Sequence, residues 1–277
     1  MSSPTASNYV LGQSVHEYER LMLQARLLRP YTEKFFRAAG LAPGMRVLDT
    51  GSGMGDVALL CADIVGPGGR VLGIDRDADA LANARRRTDE QGCSSWVEFQ
   101  ASQLDEFATT DQFDALVGRY VLLYQPDPSS TIRSLLRSVK PGGIVVFHEF
   151  DLPGPDASYP PCPLYDQVGM LLSEVFRRGG ATPVGRRLGK TLLDAGLPFP
   201  TIAAEILVGG GPGSYVYPWL ANTLISVVPR LAQLGLSLPP GVVADHTLAG
   251  RIEEAVRLGS QLLAPAQFGA WTRKPSP

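Results

Sequence analysis

The residues best suited to chemistry lie in one run, Val47-Leu48-Asp49-Thr50-Gly51-Ser52-Gly53-Met54-Gly55-Asp56, where an apolar stretch ends on an acid and passes through three spaced glycines. In a strand-turn-helix context such glycines let the backbone approach a ligand closely and present amide groups at a helix N-terminus. Two ligand classes use this geometry. A dinucleotide fingerprint, G-x-G-x-x-G, needs a glycine three residues after its second one, but Asp56 stands there and Gly55 comes one residue early. The dinucleotide fingerprint therefore fails, and a nucleotide-cofactor oxidoreductase stays only as a minor alternative. A D-x-G-x-G-x-G pattern remains.

A second acid closes the next apolar run, Gly69-Arg70-Val71-Leu72-Gly73-Ile74-Asp75. A carboxylate at a strand end can accept two hydrogen bonds at once. Arg76, Asp77 and Asp79 follow at the start of a helix, where acids near the N-terminus are favoured, so Asp77 and Asp79 read as helix-start residues. Farther on, Val146-Phe147-His148-Glu149-Phe150-Asp151 ends another strand. Alternation puts Val146, His148 and Phe150 on one face and Glu149 and Asp151 on the other. His148, with a near-neutral intrinsic pKa, is the first choice of general base for an acceptor that must lose a proton. Glu149 and Asp151 are read as anchors of the segment that follows or as contacts to a polar acceptor.

The elements that must position these residues follow a βαβ rhythm. Strands are expected over Arg46–Asp49, Arg70–Asp75, Val97–Ala101, Ala115–Gly118 and Ile144–Phe150, with helices at Asp56–Ile64, Ala78–Gln91 and Ser129–Val139 between them. Lys140-Pro141-Gly142-Gly143 reads as a helix stop and turn. Ahead of this body, apolar residues at helical spacing over residues 9–40 predict two short helices broken at Pro30. After it, the proline-rich Asp151–Pro163 predicts no regular structure and a linker or lid. Helices are then expected at Pro163–Arg178, Gly185–Ala195, Tyr215–Leu234 and Ala244–Gly259, with late strands at Thr201–Val208 and Ala264–Trp271.

Taken together, the D-x-G-x-G-x-G turn, the acid-ended strand at Asp75, Phe113-Asp114-Ala115-Leu116-Val117 and Lys140-Pro141-Gly142-Gly143 resemble the class I S-adenosylmethionine-dependent methyltransferases, of the small-molecule type, over residues 45–150. The resemblance implies an α/β fold, a Rossmann-like, seven-stranded, mostly parallel sheet with helices on both faces and helical cover at each end of the chain. It implies three parts: an N-terminal helical lid at 1–44, a cofactor-binding core at 45–150, and 151–277 completing the sheet and covering the acceptor. By the same resemblance S-adenosylmethionine is the cofactor. Asp49 would lie near the methionine amino group, Gly51, Ser52 and Gly53 along the methionyl and ribose part, Asp75 on the ribose hydroxyls and Arg76 beside the adenine. Gly118 and Arg119 would face the methionine through their backbone. Where the family places an Asp near the adenine amino group this chain has Ser102, so Ser102 or Gln103 supplies the polar contact there. Tyr120 and Tyr124 follow the fourth strand and are expected to line the site, with Tyr9 and His16 in the lid; His246 is read as structural.

Composition narrows the partners. The chain has 277 residues, 25 Lys+Arg against 27 Asp+Glu and a net charge of −2, not the basic excess of a nucleic-acid binder. The loop Gly118-Arg119-Tyr120-Val121 also lacks the proline-aromatic pattern of amino-methylating DNA and RNA enzymes. A small-molecule acceptor is therefore expected, with no nucleic acid, no membrane segment, no metal and a cytoplasmic location; a homo-oligomer through the apolar helices after Tyr215 stays open. Cys61, Cys93 and Cys162 fit neither zinc spacing nor a disulfide framework and read as buried thiols. The main alternative activity is a non-methylating reaction on the same fold, such as a cyclisation that uses the sulfonium as a fixed charge.

Overall fold

The computed structural model describes residues 15–152, 154, 157–181, 184–256 and 259–276. Tyr9 lies outside the described residues, as does the side chain of His16. In chain order the elements are α1 (Val15–Ala39), β1 (Arg46–Thr50), α2 (Asp56–Val65), β2 (Arg70–Asp75), α3 (Ala78–Glu90), β3 (Val97–Ala101), β4 (Phe113–Arg119), α4 (Pro128–Leu135) and β5 (Val139–Asp151). They continue with β6 (Ser158–Tyr159), α5 (Pro163–Arg178), α6 (Leu188–Asp194), β7 (Thr201–Gly209), α7 (Val216–Leu231), α8 (Leu248–Val256) and β8 (Gln261–Arg273). Strand order is β3-β2-β1-β4-β5-β8-β6, with β7 also on β8. The sheet thus has eight strands where seven were expected, the addition being the two-residue β6.

The chain divides into two compact units. One comprises Arg29–Phe150, Val184–Ala204 and Gln267–Pro277; the other Met1–Leu28, Asp151–Pro183 and Glu205–Ala266.

In the first unit, β1 pairs in parallel with β2 and with β4, β2 with β3, and β4 with β5. These strands are buried on both faces: Val47, Leu48, Ala115, Leu116, Val117, Val145 and Phe147 have no exposed surface, as covered parallel strands require. Val47, Val117 and Val146 meet Phe35, Phe36 and the apolar side of α2 in one cluster. Lys274 N–H donates to Gly143 O and Gly142 N–H to Lys274 O, so the start of β5 meets the end of β8. His148, farther along β5, meets Gln267, earlier on β8, so the two strands run antiparallel. Strand order reverses at β1, whose neighbours are β2 and β4, and the carboxyl ends beside that reversal are where open α/β sheets take ligands.

Two local expectations are corrected here. Lys140-Pro141-Gly142-Gly143 is not a turn between elements but part of β5: Phe113 pairs with Val139 and Ala115 with Ile144, so the extra residues bulge out, with Gly142 at φ +75°. Nor does Pro30 break α1 in two. It sits on the exposed side of a continuous helix, where solvent can take the carbonyl its ring leaves unbonded.

In the second unit, α5, α7 and α8 pack on one another, and Val168, Leu172, Leu224, Val227, Leu248 and Ile252 on them are buried. The proline-rich segment, expected to lack regular structure, contributes β6, which pairs antiparallel with Gln261 and Leu262 of β8. Among the described residues no helix is long and apolar enough to cross a membrane.

Candidate functional site

The glycine turn follows β1 directly. Gly51 and Gly53 have φ of +66° and +49°, the left-handed region that glycine enters without a steric penalty. They serve different ends. A Cβ at Gly51 would lie 2.4 Å from Val121 Cγ2, so this glycine makes room for the loop after β4, a protein neighbour where a ligand was expected. At Gly53 a Cβ would meet nothing within 4 Å, so that side of the turn is open.

Asp75, at the end of β2, is half-buried and faces the turn. Its carboxylate accepts the Gly53 N–H at 2.8 Å and the Asp77 N–H at 2.9 Å, one bond to each oxygen. Burial raises its pKa, while these two amides pull the other way. Each oxygen keeps a lone pair, so the carboxylate can still take a diol. Arg76 beside it is exposed. Asp77 caps α3, accepting from the Asp79 and Ala80 amides, as expected of an acid at a helix start. At the end of β3, Ser102 N–H donates to Asp75 O at 2.9 Å and its hydroxyl to the Gln103 carbonyl at 2.9 Å; the Gln103 side chain is exposed.

Asp49 is the most exceptional group. It is 1% exposed and neither carboxylate oxygen has a hydrogen-bond partner among the described residues. Burial drives its pKa well above the usual carboxylate range, with Arg119 pulling it back. Ser52 Oγ is buried and likewise has no hydrogen-bond partner among the described residues. A native interior rarely leaves such groups without a partner. A ligand ammonium is the kind of donor that would satisfy Asp49, and with the open side of Gly53 and the Asp75 carboxylate it makes a set that fits the amino-acid and ribose parts of S-adenosylmethionine.

At the end of β4, Gly118 is required by packing, since a Cβ would fall 2.8 Å from Phe147 and 2.9 Å from both Thr50 Oγ1 and Val121 Cγ1. The Arg119 side chain is buried, 7% exposed; Nη1 donates to Thr32 Oγ1 at 3.3 Å and Nη2 lies 3.9 Å from Asp56. Asp56 itself pairs with Arg87 at 2.7 Å. Tyr120 adopts φ +57°, unusual for a residue with a side chain and a conformation that clusters at functional sites. Its hydroxyl donates to Gln267 Oε1 at 2.5 Å. Tyr124 is half-buried in the short helical turn that follows.

His148 is not placed to take a substrate proton. It has no exposed surface, Nδ1 meets Thr32 Oγ1 at 3.0 Å and Nε2 meets Gln267 Oε1 at 2.9 Å. The Phe35 ring stands edge-on to it at 5.1 Å. Burial and the nearby Arg119 cation lower its pKa to about 3. Glu149, on the opposite face of β5, is equally buried, and one oxygen accepts the Val121 and Leu122 amides at 2.9 and 2.7 Å. Burial raises its pKa to about 8. It therefore anchors the loop after β4, a role the sequence did not single out. Thr32, Gln267 and Arg87 were also missed, having no motif to mark them. Cys61, Cys93 and Cys162 are buried free thiols, as expected, and His246 is exposed.

Residues 41–173, just under half of the chain, match the family model of a methyltransferase domain. The ubiquinone/menaquinone biosynthesis C-methyltransferase UbiE of Ectopseudomonas mendocina is 32% identical over 134 residues, 48% of this chain and 52% of that protein. The chain spans about half the length of the curated relatives it matches. Among solved structures, a candidate methyltransferase from Bacillus halodurans superposes with a TM-score of 0.59 at 19% identity, covering 88% of this chain and 98% of that one. The [4+2]-cyclase SpnF superposes with a TM-score of 0.54 at 23% identity, covering 90% and 81%. The strand order and the acid-flanked glycine turn agree with that match, and residues 41–173 are similar to a methyltransferase domain.

Proposed function

We propose that the protein transfers a methyl group from S-adenosylmethionine to a small-molecule acceptor. The observation that carries this reading is the buried, unpartnered Asp49 carboxylate, set across an open glycine turn from Asp75. When bound, the cofactor supplies an electrophilic methyl on a sulfonium, and in-line displacement then depends chiefly on orientation and desolvation. Asp75 would hold the ribose hydroxyls, Asp49 the methionine ammonium, and Arg76 with Ser102 or Gln103 would border the adenine. Glu149 keeps the loop after β4 in place. With His148 neutral and bonded on both sides, the reaction takes no proton at that position. This favours acceptors whose attacking atom needs no strong base from the protein. The acceptor is small and is not a nucleic acid, in keeping with the net charge of −2 and with the quinone methylation named for the UbiE relative.

Titration calorimetry with S-adenosylhomocysteine and with NADH is expected to show binding of the first alone. Asp75→Ala should weaken S-adenosylhomocysteine at least tenfold, whereas exposed Asp79→Ala should change it less than twofold; equal losses would refute the ribose assignment. The likeness to the SpnF fold supports a second reading, a cyclisation. It predicts equally tight cofactor binding with no methylated product by mass spectrometry across a panel of phenolic, carboxylic and amine acceptors.

A further inference from the structure

Resting on that cofactor reading, we propose that the Arg119 guanidinium is the receptor for the carboxylate of the cofactor's methionine end, and that Thr32, His148 and Gln267 are the positioning residues that hold it there. Asp49 pairs in register with Val117, and Arg119 follows Val117 by two, so alternation puts both side chains on one face of the sheet. Arg119 pulls the Asp49 pKa down, as the Ala58 amide does to a smaller extent, yet neither Asp49 oxygen has a well-formed hydrogen bond among the described residues. The guanidinium has five donors, and its hydrogen bond to Thr32 is a long 3.3 Å. At 3.9 Å its nearest acid, Asp56, is beyond hydrogen-bond reach and pairs through its other oxygen with Arg87. A buried guanidinium beside a buried carboxyl whose oxygens have no hydrogen-bond partner among the described residues suits a ligand that carries both opposite charges on one carbon. An α-amino acid end does so, and a guanidinium fork matches a carboxylate in two parallel bonds.

The holder is directional from end to end. Arg119 can only donate, so the Thr32 hydroxyl accepts from it and gives its own proton to His148 Nδ1. Nε2 then carries the ring proton and donates to Gln267 Oε1, which also accepts from Tyr120 Oη. The Thr32 and Tyr120 hydroxyls and the His148 ring N–H thus each have an acceptor, and a second proton on His148 would break the chain at Thr32. Thr32, His148 and Gln267 are 0%, 0% and 1% exposed, so water does not compete for these bonds. The same chain ties down Arg119 and the left-handed Tyr120, consecutive residues at the carboxyl end of β4.

The test is a binding comparison that separates the carboxylate from the rest of the ligand. Wild-type protein is titrated with S-adenosylhomocysteine, its decarboxylated analogue and 5′-methylthioadenosine. The expected preference for the carboxylate-bearing ligand over its decarboxylated analogue is on the order of 10–100-fold, the range of a charge-assisted hydrogen bond. Arg119→Met should bring that ratio within threefold of unity and leave 5′-methylthioadenosine within about twofold, and Arg119→Lys should lose part of the ratio because the fork is gone. Thr32→Val should lower the ratio at least fivefold and Thr32→Ser, which keeps the hydroxyl, should restore it, a split that a merely structural role would not produce. An unchanged ratio in the folded Arg119 variants would overturn the proposal, as would equal behaviour of Thr32→Val and Thr32→Ser. If wild-type protein binds none of the three ligands, the cofactor reading itself falls, a result distinct from binding with an insensitive ratio.

Discussion

His148 and Glu149 are consecutive on β5, both without exposed surface, and they solve the same burial problem in opposite ways. On one face the imidazole is satisfied at both nitrogens by side chains, Thr32 from α1 and Gln267 from β8. On the other, one carboxyl oxygen takes two backbone amides, from Val121 and Leu122, and the second oxygen has no hydrogen-bond partner among the described residues. Burial neutralises both groups, by lowering the pKa of the histidine to about 3 and raising that of the glutamate to about 8. The contrast teaches that titratable residues at a strand end beside a ligand site need not be acids or bases in the reaction. Here one orients side chains and the other fixes a loop.

Breaking the Glu149 side should cost most. Glu149→Leu leaves two buried amides unpaired, at about 1–3 kcal/mol each, so a loss of about 4 kcal/mol is expected in urea unfolding. Glu149→Gln retains a carbonyl acceptor and should stay within about 1 kcal/mol of wild type at pH 6. A loss as large as that of the leucine variant would show that the two amides are not what Glu149 contributes.

The histidine side should respond less, and with the opposite pH dependence. His148→Leu strands the Thr32 hydroxyl and the Gln267 carbonyl, a loss of about 2–3 kcal/mol at pH 7.5. Because the folded-state pKa of His148 lies below its unfolded value of about 6.5, the unfolded chain binds more protons between the two, and wild-type stability falls as pH drops from about 6.5 toward 3. The folded-state pKa of Glu149 lies above its unfolded value of about 4.5, so its contribution is full below about pH 4.5 and is lost as pH rises toward 8. Between about pH 4.5 and 6.5 the two slopes oppose each other, so chemical denaturation across pH 5–8 should show wild-type stability nearly level up to about pH 6.5 and falling above it, His148→Leu falling from pH 5 upward, and Glu149→Gln rising to about pH 6.5 and then level. A variant that keeps the wild-type profile would assign that slope to another group.

Legibility in the sequence followed the range of the interaction concerned. The parallel strands, the acid-ended turn and Asp75 were readable because each is a local pattern whose spacing has a backbone cause. The Asp77 cap was readable for the same reason, the side chain reaching amides two and three residues on. Local pattern misled where a long-range pairing overrode it. Lys140-Pro141-Gly142-Gly143 looks like a stop, yet β4 and the end of β8 draw it into β5 as a bulge, and Pro30 looks like a break, yet it falls on a helix side that needs no partner. The proton role given to His148 came from an isolated residue type. Its partners, 116 and 119 positions away, carry no motif and are brought in only by the fold.

The smallest effect expected separates two glycines that look equivalent in the motif. The amides that Glu149 holds place Val121 against Gly51, where an added Cβ would clash at 2.4 Å; Gly53, at φ +49°, has open space instead. Gly51→Ala combines a steric overlap with a left-handed backbone and should cost about 2–3 kcal/mol. Gly53→Ala carries only the backbone penalty, about 1 kcal/mol, but its methyl would occupy the open side facing the ligand. Melting curves and S-adenosylhomocysteine titrations on the pair should thus come out crossed, Gly51→Ala losing more stability and Gly53→Ala losing more affinity. Parallel losses in both measurements would mean that the turn acts as one rigid unit and that the open side of Gly53 is not where the ligand approaches.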